Sequence, residues 1–432
     1  MKGYTAGLEL EQFLIDSTGN INFGAERILK ILKKKYPNHH YQKEVGTNML
    51  EFGSNPSTQI TETLASMAGE LNDAIAILKE HGLKLYPFAT YPGEYRPNIR
   101  TNPWYEVKKR ILGEYKFKMS GQCVGFHFHF SLPKKSFDDK SKFIKVSKND
   151  LENKKMVSSY NLLIAADPVL TTFTQSSPYI QGKFLAKDSR MLYYRGGSNL
   201  NYHGLYHKFQ LFGGLQNYIT TIHDIIEDVE IRYVLWQNAV LAQGFDVDLV
   251  RRYGRRLDYA WNPVKVNKHG TFEQRGMDAN LPTYVAATAL IVQKMLQRVY
   301  DEQLTIAPSK DGTKEPFKIE NGKLFVPPSE IVLKEYQYLS AVEGLENKRM
   351  QKYCRALYRF ILPEVKGKEK KLLKRTRQML STKKTIADRL IDEVKKEGLW
   401  NKRKLPPRDA ARLANKWSGY FENDLRVLEK WL

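Results

Sequence analysis

The chain has 432 residues, of which 42% are hydrophobic and 12% aromatic, and its formal net charge is +22. This length indicates two or three domains with a large core, and the absence of any apolar run of about 18–20 residues excludes a helical membrane protein. Only two cysteines occur, Cys123 and Cys354, and no CxxC pattern, which excludes thiolate zinc sites and predicts a reducing compartment.

The first predicted strand carries two acidic residues on one face. Residues 7–16 (GLELEQFLID) alternate in polarity, so Glu9 and Glu11 leave the face opposite Leu8 and Leu10. Like charges on one strand face repel each other, and either water or a bound dication must compensate them. A helix is predicted over residues 24–36.

Residues 41–57 are predicted to be extended, with a bend at Gly46. This segment contributes Glu44 and Glu51, and Glu51 lies between two apolar residues as expected for a strand. A long helix is predicted over residues 58–81, and a strand over residues 83–92 follows it.

The stretch QCVGFHFHFSLP at residues 122–133 is the next predicted strand, after a helix near residues 104–112. One face is apolar, and the other carries Gly125, His127, His129 and Ser131. Two imidazoles on one face are compatible with a metal site, with a surface that contacts phosphate, or with a half-exposed polar face.

The middle of the chain continues with a charged loop (134–150) and two helices (151–166 and 219–242). The segment HGTFEQRGMDANLP then predicts a strand that carries Glu273 and Arg275 on one face. A helix over 283–302 and a loop or small hairpin over 306–330 follow. Because strands and helices do not alternate as regular βαβ units, we predict an α+β fold around a largely antiparallel sheet. Five glutamates and one histidine on strand faces favour Mg²⁺ or Mn²⁺.

From about residue 328 the pattern is helical to the end. Residues 341–432 contain 25 Lys and Arg against 12 Asp and Glu, so we predict a catalytic domain over 1–340 and a basic helical extension over 341–432, peripheral to the chemistry. The extension could attract nucleic acid or an acidic partner, or be a solvated surface.

Five stretches, in order, resemble the carboxylate–amine ligases of the glutamate–cysteine ligase type. They are GLELEQFLID, EVGTNMLEFGSNP, GQCVGFHFHFSLP, DPVLTTFTQSSPYIQGKFLAKDSR and GTFEQRGMDANLP, within residues 5–290. The resemblance implies a glutamine synthetase-like catalytic fold with a curved sheet covered by helices.

The resemblance also implies roles for individual residues. The implied metal ligands are Glu9, Glu11, Glu44, Glu51, His127 and Glu273. His129 would face the nucleotide phosphates, Arg275 would neutralise the transferred phosphoryl group, and Ser189 and Arg190 lie where the family keeps an arginine for substrate or phosphate. The chain departs from the family at YPF (86–88) and AWNP (260–263), which puts substrate identity in doubt.

The implied activity is an ATP- and Mg²⁺- (or Mn²⁺-) dependent ligase that joins a small carboxylate, such as an amino acid, to an amine through an acyl phosphate. The amide bond could be γ-glutamyl. Two alternatives stay open: a guanidino phosphotransferase on a related fold, and a non-catalytic nucleic-acid-binding protein. The N-terminus lacks the apolar segment of a signal peptide, so we expect a cytoplasmic protein. We also expect a homo-oligomer and no membrane partner.

Overall fold

The structure, a computed structural model, describes residues 4–246, 248–249, 252 and 256–432. Its strands are β1 (Ala6–Asp16), β2 (Tyr41–Lys43), β3 (Met49–Gly53), β4 (Leu83–Tyr86), β5 (Gly125–Ser131), β6 (Phe137–Asp138), β7 (Phe143–Ile144), β8 (Tyr179–Ile180), β9 (Lys183–Phe184), β10 (Val264–Asn267), β11 (Thr271–Asp278), β12 (Thr305–Pro308), β13 (Ile319–Glu320) and β14 (Lys323–Val326).

Helices make up most of the remaining regular structure. They are α1 (Ala25–Lys35), α2 (Ile60–Glu80), α3 (Pro103–Leu112), α4 (Glu114–Phe117), α5 (Asp150–Thr174), α6 (Gln210–Gly213), α7 (Ile222–Ala242), α8 (Pro282–Asp301), α9 (Lys310–Lys314), α10 (Ser329–Ile331), α11 (Gln337–Val342), α12 (Lys348–Ile361), α13 (Glu369–Leu372), α14 (Lys374–Thr382), α15 (Ile386–Lys396) and α16 (Pro407–Trp431).

The main sheet has seven strands in the order β10-β11-β5-β1-β3-β2, and β4 also pairs with β1. All of these pairings are antiparallel, which confirms the prediction of a mixed fold around an antiparallel sheet. The length of β1 matters here. Its first half pairs with β5, its last residues pair with β4, and β3 lies on its other side. One long strand therefore links every part of the sheet.

The apolar face of the sheet forms the core. Phe126, Phe128 and Phe130 of β5 are buried, as their alternation with the histidines predicts. The buried helices α5 and α8 pack against each other and against this face, with the ring of Tyr160 lying 5.4 Å from that of Phe272 in β11. The opposite face is consequently left to the polar side chains.

Two segments differ from the predicted elements. The helix predicted to end at residue 166 continues through Pro168 to Thr174. Every residue of this helix from Ser158 to Thr174 is buried, so tertiary packing overrides the helix-breaking tendency of proline. Residues 306–330 form a small sheet in which β12 and β14 are parallel and β13 pairs with β14.

The C-terminal segment is helical and packs on the body of the protein. Trp417 of α16 lies 5.1 Å from the ring of Phe88, which follows β4. Asp424 accepts hydrogen bonds from the backbone N–H and the hydroxyl of Thr283 at the start of α8 (2.7 and 2.8 Å). A domain boundary near residue 340 stays a prediction, and these contacts cross it.

Within the described residues, none of the helices combines the length and the apolar character that a membrane crossing requires.

Candidate active site

Strand register brings together the predicted acidic residues and histidines. Glu9 of β1 lies directly opposite His127 of β5, and Glu11 lies opposite Glu51 of β3. On the other side of β5, His129 lies opposite Glu273 of β11. Every pair shares the polar face because side chains two residues apart on a strand point the same way.

Three groups of possible metal ligands result, and each has ligand atoms within 4.8 Å of one another. They are Glu9, His129 and Glu273; Glu9, Glu51 and His127; and Glu11, Glu44 and Glu51. Glu9 belongs to two groups and Glu51 to two, so the groups adjoin. All six predicted ligands are present, and His129, predicted to face phosphate, joins them.

The two imidazoles are held in defined orientations. Nδ1 of His127 lies 3.1 Å from a Glu9 carboxylate oxygen, and Nδ1 of His129 lies 2.9 Å from the Thr271 hydroxyl. Both Nε2 atoms are buried and face carboxylates without a well-formed hydrogen bond: Nε2 of His129 lies 3.3 Å from Glu9, and Nε2 of His127 lies 3.6 Å from Glu11. A ring nitrogen that faces a carboxylate in this way can bind a cation together with it.

Three of the carboxyl groups have a raised pKa. Burial, followed by repulsion from Glu44, raises the pKa of Glu11 to about 7. Burial also raises the pKa of Glu44, and burial with the charges of Glu44, Glu9 and Glu11 raises that of Glu51 well above the usual range. These groups crowd negative charge into a space with little water.

The two carboxyl groups beside cations behave differently. Burial opposes ionisation of Glu9, but hydrogen bonds from His127 and His129 hold its pKa well below the usual range. For Glu273, burial is again outweighed, here by Arg275 and Lys265, and the pKa falls to about 2. The polar face thus has an acidic side toward β3 and a charge-balanced side toward β11.

Arg275 lies at an irregularity in β11, where the register with β5 shifts between Gln274 and Met277. One of its guanidinium nitrogens is 3.7 Å from Glu273. The carbonyl oxygens of Arg275 and Gly276 accept hydrogen bonds from the guanidinium of Arg190 (3.4 and 3.1 Å). Arg190 therefore supports the segment that presents Arg275, and both side chains line one small cavity.

Ser189 lies apart from this cluster. It is fully buried, and its hydroxyl donates to the carbonyls of Pro178 and Ala186 (both 3.1 Å) within its own loop. Its predicted role in nucleotide binding gains no geometric support. Tyr86 and Phe88, at the first departure from the family pattern, are buried in the core, whereas Trp261, at the second, borders the cavity of Arg275.

Two site lysines were missed by sequence reasoning. Lys265 of β10 lies opposite Glu273, and its ammonium donates to the carbonyls of Leu257 and Ala260 (3.1 and 3.0 Å). Burial lowers its pKa to about 8. The alternation in VKVN at residues 264–267 could have revealed it. Lys108 of α3 gave no such signal, since it lies among other cations on a short helix.

The overall fold is similar to those of two solved ligase structures. Glutamate–cysteine ligase from Francisella tularensis, in complex with AMP, superposes with a TM-score of 0.58 at 14% identity, over 99% of this chain and 92% of that one. A bifunctional glutathione synthetase from Pasteurella multocida gives 0.58 at 11% identity, over 98% of this chain and 52% of that one. The chain thus spans about half the length of the bifunctional enzyme. At these identities the likeness concerns the fold alone.

The sequence has no match among curated proteins. The family described as glutamate-cysteine ligase family 2 (GCS2) matches residues 5–318, which include every strand that carries the site. The predicted resemblance is therefore confirmed, and the chain belongs to glutamate-cysteine ligase family 2, a family of carbon–nitrogen ligases.

Proposed function

We propose that this protein is an ATP- and Mg²⁺-dependent carboxylate–amine ligase that forms an amide bond, such as a γ-glutamyl bond, through an acyl phosphate. The observation that carries the proposal is the convergence of five glutamates and two histidines on one sheet face, with Arg275 beside them. Family membership supports the ligase class. The AMP bound to the Francisella tularensis ligase supports the use of an adenine nucleotide.

The donor set suits hard divalent cations. Oxygen ligands with one or two imidazoles are typical of Mg²⁺ and Mn²⁺ sites. The buried Nε2 atoms of His127 and His129 lie 3.6 and 3.3 Å from carboxylate oxygens of Glu11 and Glu9, which suits ligands that share a cation. We infer that Glu11, Glu44 and Glu51 hold one ion, and that Glu9, the histidines and Glu273 hold the others.

The charges of the polar face suit phosphoryl transfer. When bound, divalent cations supply positive charge to the phosphate oxygens of ATP. A carboxylate that attacks the γ-phosphorus brings more negative charge into the same space, and Arg275 lies where it can neutralise it. ADP leaves as the acyl phosphate forms. The amine then attacks the acyl carbon, loses a proton, and expels phosphate to leave the amide.

The buried setting favours this chemistry in a second way. His127, His129 and Glu273 are all less than 10% exposed, so little water reaches the reacting groups. Water would hydrolyse an acyl phosphate before the amine could attack it. The apolar core behind β5 and β11 fixes the strands, so the polar side chains are held in position before the reactants arrive.

The decisive experiment is a screen of amino acids, in pairs, for ADP release with Mg²⁺ and for an amide product by mass spectrometry. We expect ADP release only when a suitable carboxylate and a suitable amine are both present, and none in EDTA. A stable phosphorylated product without an amide would instead favour the guanidino phosphotransferase. Nucleic-acid binding that weakens steeply with salt, without any turnover, would favour the non-catalytic alternative.

A further inference from the structure

Lys108 is buried although it lies on a helix whose other cations are more exposed. Helix α3 begins after Asn102, whose side chain caps the backbone N–H of Tyr105. Lys108 is only 8% exposed. Its neighbour Lys109 makes an ion pair with Glu106 (2.6 Å), one turn earlier on the same helix. The two adjacent lysines therefore have opposite surroundings.

The ammonium of Lys108 is held by aromatic rings. It lies 4.2 Å from the centre of the Trp261 ring, 5.5 Å from that of Trp104 and 5.8 Å from that of Tyr105. No hydrogen bond or ion pair joins it to another described residue. Cation–π contacts offset only part of the free energy of removing an ammonium from water. A buried lysine without an anionic partner thus calls for an explanation.

The charges around Lys108 belong largely to the candidate site. Burial, then the positive charges of Arg275 and Lys265, lower its pKa to about 7, while Glu44 and Asp258 act in the opposite direction. Trp261, the ring closest to its ammonium, lines one cavity together with Arg275 and Arg190. Trp261 therefore contacts Lys108 and lines the same cavity as Arg275, and three cations, Lys108, Arg275 and Lys265, repel one another at this edge of the site.

We propose that Lys108 binds an anionic oxygen of a charged reactant, either the transferred phosphoryl group or the carboxylate that receives it. This inference rests on the proposed ligase function. An oxyanion placed between Lys108 and Arg275 would relieve their repulsion and supply the missing partner of the ammonium. The Trp261, Trp104 and Tyr105 rings then hold the lysine in place before the anion arrives.

Three variants test the proposal: Lys108→Met, which keeps the length without the charge; Lys108→Arg, which keeps the charge; and Lys109→Met as the matched control. We expect Lys108→Met to lower kcat/KM about 10–100-fold, the range of a lost charged hydrogen bond. A rise in KM for ATP would identify the phosphoryl group as the anion, and a rise in KM for the acid would identify the carboxylate. Lys109→Met should match the wild type.

The pH profile separates anion binding from a packing role. In the wild type, kcat/KM should decrease as pH rises through about 7, because the free ammonium loses its proton there. Lys108→Arg should retain substantial activity, and its kcat/KM should decrease only at higher pH, since a guanidinium stays charged. The groups that face Lys108 are Arg275, Lys265, Glu44 and Asp258, and all are unchanged in these variants.

Two results would overturn the inference. The first is a kcat/KM for Lys108→Met within twofold of that for Lys109→Met. The second is a decrease of kcat/KM in Lys108→Arg at the same pH as in the wild type. If Lys108→Met does not fold, as thermal unfolding would reveal, the Lys108→Arg profile alone decides. A wild-type protein without any ligase turnover would instead contradict the proposed function itself.

Discussion

Glu9 and Glu11 leave the same strand face two residues apart, yet their surroundings favour opposite protonation. Two histidines hold the pKa of Glu9 low, whereas burial and Glu44 raise that of Glu11 to about 7. Between pH 4.5, the ordinary value, and about 7, the folded chain therefore holds protons at Glu11 that the unfolded chain has lost. Below about pH 4.5, Glu11 is protonated in both states and does not affect stability. Above about pH 7, the folded state bears the full free-energy cost of ionising Glu11.

We expect the free energy of unfolding in EDTA to decrease as pH rises from about 5 to about 7, by about 3 kcal/mol at most from Glu11. Glu11→Gln should flatten this slope, and excess Mg²⁺ should restore stability at the upper end because it binds the ionised carboxylates. Urea unfolding at several pH values checks this. The raised pKa values of Glu44, Glu51 and His129 act in the same direction, so Glu11→Gln should reduce the slope without removing it. The low pKa values of Glu9 and Glu273 act below the window. An unchanged slope in Glu11→Gln would contradict the expectation.

The inferred ligands themselves give the next prediction. Glu9→Gln, Glu51→Gln and His127→Ala should each abolish turnover while the fold survives, because each removes a donor shared by adjoining groups or a buried nitrogen. Turnover and the Mg²⁺-dependent rise in Tm should be lost together. Purified variants with wild-type turnover would show that the ligand assignment is wrong.

Arg275→Lys should be far from conservative. Lysine keeps the charge but lacks the planar fork that holds two phosphate oxygens. The loss of one hydrogen-bond donor to the transition state typically costs about 10²–10³ in rate, and this loss should lower mainly kcat. Steady-state kinetics with ATP and the acid check this, and an unchanged kcat with only a raised KM for ATP would argue against a role in the transition state.

The irregularity in β11 is the element that presents Arg275. A Cβ atom on Gly276 would lie 2.1 Å from a guanidinium nitrogen of Arg195 and 2.5 Å from a carboxylate oxygen of Asp167. These two side chains form a buried bidentate ion pair (2.7 and 3.0 Å). Glycine is therefore required here because a buried ion pair fills the space next to the strand.

We expect Gly276→Ala to lower both Tm and kcat, since it must displace either the ion pair or the segment that carries Arg275. Gly69→Ala, in the exposed part of α2 with nothing within 4 Å of the new Cβ atom, is the control. It should raise stability by about 0.5–1 kcal/mol. Thermal unfolding and activity assays on both variants decide, and a Gly276→Ala protein with the Tm of the control would contradict this account.

For each strand, the sequence predicts which side chains share a face, but it does not predict which other strand that strand pairs with. Strict alternation in GLELEQ and GFHFHFS was sufficient to put Glu9, Glu11, His127 and His129 on polar faces. The register that sets Glu273 opposite His129 depends on residues over 140 positions apart, which local pattern does not encode. The predicted end of the helix before Pro168 is wrong for the same reason, since the packing that keeps this helix regular comes from distant segments. Lys108 could not be identified from the sequence, because no local pattern distinguishes a buried lysine from an exposed one.

At the scale of the whole molecule, the basic C-terminal helices are tied to the rest of the protein at two points. Trp417 packs on Phe88, which follows β4, and Asp424 binds Thr283 at the start of α8. The C-terminal segment is therefore an integral part of the fold despite its net positive charge. Its last helix, α16, buries a face of mainly aromatic and aliphatic residues and exposes its basic side chains to solvent.

Truncation after Glu364 should yield an insoluble or unfolded protein, since it uncovers the apolar surface around β4 and α8. A milder change tests the same contact: Trp417→Ala should cost about 3–5 kcal/mol of stability. Trp400→Ala, at a residue that is 39% exposed, should cost much less. Urea unfolding of the two tryptophan variants makes the comparison. A soluble truncated protein with normal kcat would show that the helices are dispensable.

The long strand β1 also governs when the site can form. Its partner β5 begins more than 100 residues further along the chain, and β11, which pairs with β5, begins more than 250 residues further along. Glu9 is therefore synthesised long before His127 and Glu273. Loops of this length make pairing slow, because their closure entropy must be overcome before contacts form. Glu11, Glu44 and Glu51 can meet as soon as β1 pairs with β3, whereas the group that contains His129 and Glu273 can form only after residue 278 has emerged. The two ends of the candidate site are therefore expected to assemble at different stages of folding.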